Sequence, residues 1–290
     1  MQIGVVFPQT EIGGDDAGAL RAYAQGVEGL GYRHIMAYDH VIGADPDVHK
    51  GWSGPYDVRS TFHEPFVMFG FLAALTSLEL VTSIIILPQR QAVLVAKQAA
   101  EVDILTGGRF RLGVGLGWNH VEYEALGEDF TTRGKRIEEQ VDLLRRLWTE
   151  PVVTFDGTYH HVTAAGLAPL PVQRPIPIWF GAHSPAAYRR TGRLADGWFP
   201  QMPPGPELEE AKSIIHRSAT EAGRDPATLG MEGRLAWTGD PEALRTLSHQ
   251  WQSAGATHIA LNMMKAGLHT VDDHLGALET AAEALDIRKA

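Results

Sequence analysis

Two hydrophobic rhythms alternate along the chain. Short runs that are apolar almost without interruption begin with residues 3–7 (IGVVF) and return at 34–38, 81–87, 109–114, 176–180, 197–199, 230–237 and 258–261. This is the pattern of parallel strands buried on both faces. Between them lie longer stretches, at 17–30, 64–76, 91–105, 185–194, 206–222, 241–254 and 271–285, whose apolar residues recur at three- and four-residue spacing. Such spacing predicts helices with one buried face. The turn residues agree. Gly31 stops the first helix, Gly107-Gly108 stops the third, and Ser184-Pro185 offers a cap followed by a first-turn proline. Beyond residue 114 the alternation is interrupted by two helical pieces, 121–126 and 133–148, and by 152–162, which reads as an inserted hairpin turning at Asp156-Gly157. Eight strand–helix units in order predict an α/β fold, a (β/α)8 TIM barrel with insertions after strands, built by residues 1–290 as one domain.

The densest part of this pattern is residues 81–127, which reads as strand, helix, strand and glycine-rich turn without a break. A right-handed βαβ unit sends both strands the same way, so the loop from Gly115 to Asn119 opens at the C-terminal edge of the sheet, where such folds place ligands. The glycines Gly113, Gly115 and Gly117 admit two readings: a loop that lets backbone N–H groups approach a pyrophosphate, or a tight turn after a barrel strand. The spacing GVGLG has no third glycine opening the next helix, and no acidic residue ends a following strand, which weighs against a dinucleotide site.

Composition narrows the chemistry. The chain has 290 residues, 44% hydrophobic, enough for a sizeable core, and a formal net charge of −10 that disfavours nucleic acid as a partner. It contains no cysteine, so disulfides, thiolate metal sites and a cysteine nucleophile are excluded, and redox work requires a cofactor. No apolar run reaches eighteen residues and no basic stretch precedes the first strand. These features predict a soluble, cytoplasmic protein with no membrane partner. Thirteen histidines raise the question of a metal, but no metal-binding spacing is present: His160 and His161 are neighbours on a hairpin, and no His-Glu helix motif occurs. The expectation is no metal.

In a barrel, chemistry belongs to the loops after strands. The candidates there are Pro8, Gln9, Asp39, His40, Ser83, Ile84, Trp118, Asn119, Gly181, His183, Ser184, Gln201, Arg234 and Asn262. Asp39-His40 pairs a carboxylate with an imidazole, which can exchange a proton near neutrality; the same pair can equally cap the next loop. The segment Gly181-Ala182-His183-Ser184 opens a helix whose free N–H groups suit a phosphate, or simply forms an N-cap. Arg189, Arg190 and Arg193 suit an anionic tail or an exposed helical face. Residues 43–61 form a long connection rich in Gly, Pro and Asp that carries Trp52 and Tyr56. A connection of this length predicts a lid that sets one of these aromatics against a small-molecule substrate.

Three segments, GLGYRHIMAYDHV, LPQRQAVLVAKQAAEVDILTGGRFRLGVGLGW and PIPIWFGAHSPAAYRRTGRLADGWFP, resemble in order the luciferase-like oxidoreductase family, whose members use FMN or the deazaflavin coenzyme F420. The resemblance implies the same barrel. It also implies hydride transfer between coenzyme F420 and an organic substrate, with FMN-dependent monooxygenation of the bacterial-luciferase kind as the alternative. By resemblance to the deazaflavin-dependent members, Asp39 and His40 lie beside the ring system as the catalytic pair. The resemblance also implies that Ser83 and Ile84 are joined by a cis peptide and that they, with Gly115, Trp118, Gly181, Ala182, His183 and Ser184, complete the cofactor site. In the sugar-dehydrogenase branch a glutamate follows the GxG turn; here Trp118 stands there. Family likeness further implies a homodimer and a separate reductase for cofactor recycling.

Overall fold

The computed structural model describes residues 1–288. Its strands are β1 (Gln2–Val6), β2 (His34–Ala37), β3 (Glu79–Thr82), β4 (Ile85–Ile86), β5 (Phe110–Gly115), β6 (Val153–Asp156), β7 (His161–Ala165), β8 (Ile178–Ala182), β9 (Gly197–Pro200), β10 (Gly230–Ala236) and β11 (His258–Asn262). Parallel pairing runs β3-β2-β1-β11-β10-β9-β8-β5-β4, and a further β3–β5 pairing closes the ring. Because β3 and β4 are two halves of one strand, the nine segments form a closed barrel of eight staves, the (β/α)8 TIM barrel that the alternation predicts.

The helices wrap the outside: α1 (Ala17–Gly29), α2 (Pro65–Ala73), α3 (Ala92–Thr106), α4 (His120–Ala125), α5 (Arg133–Thr149), α6 (Pro185–Leu194), α7 (Pro206–Glu221), α8 (Pro241–Ser253) and α9 (Val271–Ala284). Among the described residues no helix is long and apolar enough to cross a membrane. On α5 the predicted stripe is real: Ile137, Val141, Leu144 and Trp148 are all buried, and Trp148 donates its indole N–H to the Ala96 carbonyl at 2.9 Å, tying α5 to α3.

Three differences from the sequence reading go beyond a shift of one or two residues at an element's end. The third strand is not continuous over 81–87. It breaks at Ser83-Ile84, a cis peptide, pairs again as β4 and passes into a short 3-10 turn at Leu87–Gln89. The second helix ends at Ala73 rather than 76, and the N–H groups of Leu75 and Thr76 both turn onto the Leu72 carbonyl. The hairpin is longer than predicted, β7 reaching Ala165, with Glu139 of α5 accepting the backbone N–H groups of Thr158, Tyr159 and His160 inside its turn.

The barrel interior is layered. Near the strand starts sits an ionic plug: Glu232 faces His34 at 2.5 Å and Arg111 at 2.9 Å, and Arg111 also holds Glu79 at 2.8 Å. Above it Val6, Met36, Val81, Trp179, Phe199 and Ala260 form an apolar layer, with the Arg111 guanidinium 4.4 Å from the Trp179 ring centre. Charge so deep is tolerable only because each carboxylate is matched by a cation or imidazole. The floor is therefore solid, and any ligand must enter from the opposite end.

Candidate active site

At the C-terminal ends of the strands the barrel opens into a cavity of about 660 Å³, within the range that holds a cofactor-sized ligand. Most of its wall comes from strand ends and the loops after them, with α5 and α6 adding Arg133, Ile137, Ala187 and Arg190. Tyr38 and His40 follow β2, Ser83 and Ile84 sit between β3 and β4, Gly115 to Trp118 follow β5, and Gly181 to Ser184 end β8. Gln201 and Arg234 close the far side.

The glycines after β5 make room for isoleucines. A Cβ on Gly115 would lie 2.7 Å from Ile84 Cδ1, and one on Gly117 would lie 2.7 Å from Ile86 Cγ2; neither separation is tolerated. Gly117 also holds φ +67, which glycine alone adopts freely. The GVGLG run is thus a packing turn that lets the displaced β3–β4 chain push Ile84 into the cavity.

Asp39 and His40 are adjacent in sequence and separate in space. The Asp39 carboxylate is buried beneath the cavity, accepting from Arg90 at 2.8 Å and from the Ile86 N–H at 3.0 Å, while Arg90 also reaches Glu64 at 2.9 Å. It does not line the cavity, which differs from the expectation that the two side chains act together. Successive residues of an extended chain point opposite ways, and Asp39 turns toward Arg90.

His40 lines the cavity, and its partner is Glu122, on α4, with Nδ1 3.4 Å from Oε2. Glu122 is completely buried, and its carboxylate also accepts the N–H groups of Val41 and Ile42 and the Gln89 side-chain amide. Burial alone would push this carboxyl up, but His40, Gln89 and the Val41 N–H together hold it below the ordinary glutamate value. Sequence reasoning missed Glu122. The available signal was Asn119-x-x-Glu122, the spacing of a capping box; Asn119 does cap α4, but Glu122 turns inward to His40 instead of back to the cap.

Of the loop at 43–61, Tyr56 and Pro55 line the cavity. Trp52 does not. Its ring lies against the outer side of Trp118 with centroids 5.4 Å apart, and its indole N–H donates to the Tyr56 carbonyl at 3.0 Å, so it buttresses the two residues that do.

On the β8 side the helix start is less open than its sequence suggests. Ser184 caps α6 by accepting the Ala187 N–H, its carbonyl takes the Tyr188 N–H, and Pro185 has none, which leaves Ala186 as the free first-turn donor. Two arginines stand beside it. Arg133, at the start of α5, and Arg190, buried rather than on an exposed face, both line the cavity. Arg190 is fixed by Glu138 at 3.0 Å and the Gly134 carbonyl at 3.0 Å, and Arg193 shares Glu138. Tyr38 supplies another feature the sequence did not single out: its buried hydroxyl faces the cavity without a hydrogen-bond partner. A buried hydroxyl left unpaired is destabilising by about 1–3 kcal/mol, so this group calls for a ligand acceptor or donor.

A strand-end cavity with an imidazole–carboxylate pair and a cationic wall lies at the barrel end where such folds carry their chemistry. The family model for luciferase-like monooxygenases matches residues 1–289, and the chain belongs to that family. It is 30% identical over 262 residues, covering 88% of this chain and 68% of the relative, to an F420-dependent hydroxymycolic acid dehydrogenase of Mycobacterium tuberculosis. An uncharacterised protein of the same organism is 38% identical over 164 residues; the match spans 56% of that relative's length. In fold, an F420-dependent secondary alcohol dehydrogenase bound to an F420–acetone adduct superposes with a TM-score of 0.79 over 98% of both chains at 18% identity.

Proposed function

We propose that the chain is a coenzyme F420-dependent oxidoreductase that moves a hydride between the deazaflavin and a small organic substrate. The observation that carries this reading is His40, held from behind by Glu122 and facing a cavity lined by Ser83, Ile84, Gly115 and Gly181 to Ser184. The name of the Mycobacterium tuberculosis dehydrogenase supports it.

The residues present fit such a group. Ile84, admitted by Gly115, would give an apolar surface for the ring system, the unpaired Tyr38 hydroxyl would offer a hydrogen bond to a ring substituent, and Arg133 and Arg190 would meet an anionic chain. When bound, a reduced deazaflavin supplies a hydride from C5 and reacts only slowly with oxygen. This chain supplies the matching proton. With Nδ1 directed to Glu122, His40 has Nε2 free to give a proton to substrate or take one from it. Asp39 acts indirectly as a positioning residue, fixing the Ile86 N–H and Arg90 under the β3–β4 break.

The second reading, an FMN-dependent monooxygenase using reduced flavin and oxygen, is favoured by the family's own description. Cofactor titration separates the two. The purified apoprotein is titrated with F420 and with FMN, followed by quenching of its seven tryptophans. Deazaflavin is expected to bind at least about tenfold more tightly, a difference of about 1.4 kcal/mol. Tighter FMN binding with oxygen uptake on adding reduced FMN would overturn the proposal in favour of the monooxygenase.

A further inference from the structure

The cavity has a neighbour. A smaller hollow of about 290 Å³ adjoins it, and His40, Tyr56 and Trp118 line both. The two lobes differ in charge. All three arginines that line the site, Arg133, Arg190 and Arg234, belong to the larger lobe, whereas no lysine or arginine lines the smaller one. Its only carboxylate, Asp57, is engaged by Arg59 at 3.1 Å, and Glu122 stands directly behind His40. A phosphate or carboxylate placed there would face two carboxylates, and the cation nearby, Arg59, is already paired with Asp57.

What the smaller lobe does offer is ring surface. Phe62 meets His40 edge-on with centroids 4.8 Å apart and meets Tyr56 in the same way at 4.8 Å, and Trp118 packs on His40 at 5.5 Å. The rim is apolar and unusually open to water: Val41 is 43% exposed, Ile42 42%, Val58 59% and Trp118 38%. Four large apolar residues left uncovered around one hollow beside a proton-exchanging histidine mark a binding surface for apolar ligand.

Resting on the hydride-transfer reading above, we infer that the smaller lobe is the substrate lobe, and that it takes a neutral, planar, largely apolar carbonyl compound such as an aryl ketone, or the matching alcohol in reverse. Phosphorylated sugars are excluded. The ring lies among Trp118, Tyr56 and Phe62, with the carbonyl toward His40. In the reducing direction, hydride from the reduced deazaflavin bonds to the carbonyl carbon and the C=O π pair moves onto oxygen. That oxygen takes the proton from His40 Nε2, leaving alcohol, oxidised cofactor and a histidine that regains its proton from solvent. Trp118 determines this specificity, since its indole lines both lobes and packs on His40 with centroids 5.5 Å apart.

Calorimetry tests the assignment on protein loaded with whichever of deazaflavin or FMN it binds. The probes are acetophenone, phenyltrimethylammonium and glucose 6-phosphate. Acetophenone is expected to bind saturably, glucose 6-phosphate not to displace it, and Trp118→Glu to weaken it at least about tenfold, equivalent to 1.4 kcal/mol. Trp118→Phe, which keeps a ring at the position, should stay within about threefold; circular dichroism confirms that both variants fold, and the phenylalanine variant carries the comparison if the glutamate variant does not. Saturable binding of glucose 6-phosphate, tighter binding of the cation than of the ketone, or no acetophenone binding to loaded protein each overturns the substrate class. The cofactor reading falls separately, on the titration above.

Discussion

The barrel buries a histidine–glutamate pair at each end, and the two could hardly be used more differently. At the floor His34 and Glu232 are wholly inaccessible, 2.5 Å apart, with Arg111 clamped on the second carboxylate oxygen. At the mouth Glu122 is equally buried, but His40 keeps 11% of its side chain open and sits 3.4 Å away, and Glu122 spends its remaining capacity on backbone N–H groups and Gln89. The floor pair is saturated by charge and can only hold staves together. The mouth pair has one ring nitrogen free and a cavity in front of it. Residue type is the same in both; access and the third partner decide which becomes chemistry.

Removing Glu232 tests that contrast most severely. Glu232→Ala leaves His34 without its carboxylate and Arg111 with Glu79 alone beside an apolar layer, and should destabilise the chain by about 3–5 kcal/mol in urea unfolding, as breaking a buried pair from one side generally does. A loss under about 1 kcal/mol would show that the floor is not a sealed plug. At the mouth the balance reverses. His40→Ala should lower kcat by about 100-fold or more while shifting the unfolding midpoint little, the usual scale for a lost proton-transfer group. Unchanged turnover with an intact fold would remove His40 from the reaction.

The floor should also govern acid sensitivity. Burial pushes Glu232 up, but His34 and Arg111 outweigh it and hold the carboxyl at about 2, against an ordinary 4.5. Burial and the nearby Arg111 push His258 down to about 3 from 6.5. In both cases the unfolded chain binds the proton first as pH falls, so stability declines in the same direction. His258 contributes the loss between about 6.5 and 3, and Glu232 adds to it between about 4.5 and 2. Urea midpoints measured from pH 7 down to 4 should therefore fall, and His258→Gln should flatten the first part of that slope. A level midpoint over this range would contradict the assignment.

The smallest expected effects separate the two aromatics of the 43–61 loop. Tyr56→Ala, which removes a wall of both lobes, should raise KM about tenfold, and Trp52→Ala, which removes only the support behind Trp118, by no more than about threefold. Equal effects would mean that Trp52 reaches substrate directly.

The barrel was legible because its signal is repeated: each stave is an apolar run too short for a helix, and each run is followed by a stripe at helical spacing. The β3–β4 break was not readable from residue types alone, since Thr82, Ser83 and Ile84 look like any buried strand; resemblance supplied the cis peptide that the structure contains. Part of the candidate site was visible as polar residues at strand ends, and His40, Ser83, Trp118, His183 and Ser184 do meet in one cavity. Glu122 escaped notice because it lies 82 residues beyond His40 on a helical piece that interrupts the alternation, and only barrel closure brings the two together.

By itself, then, the sequence determined the alternation of strand and helix, the closed ring it implies and the edge of that ring at which polar residues gather, because these follow from local periodicity and turn chemistry. Tertiary structure alone decided that Asp39 turns down to Arg90 while His40 turns up to Glu122, that Arg190 is buried beside the cavity, and that the arginines lining the site all stand in the larger lobe. These depend on which side chains from distant staves arrive within a few ångströms of one another, and no local pattern encodes such distances.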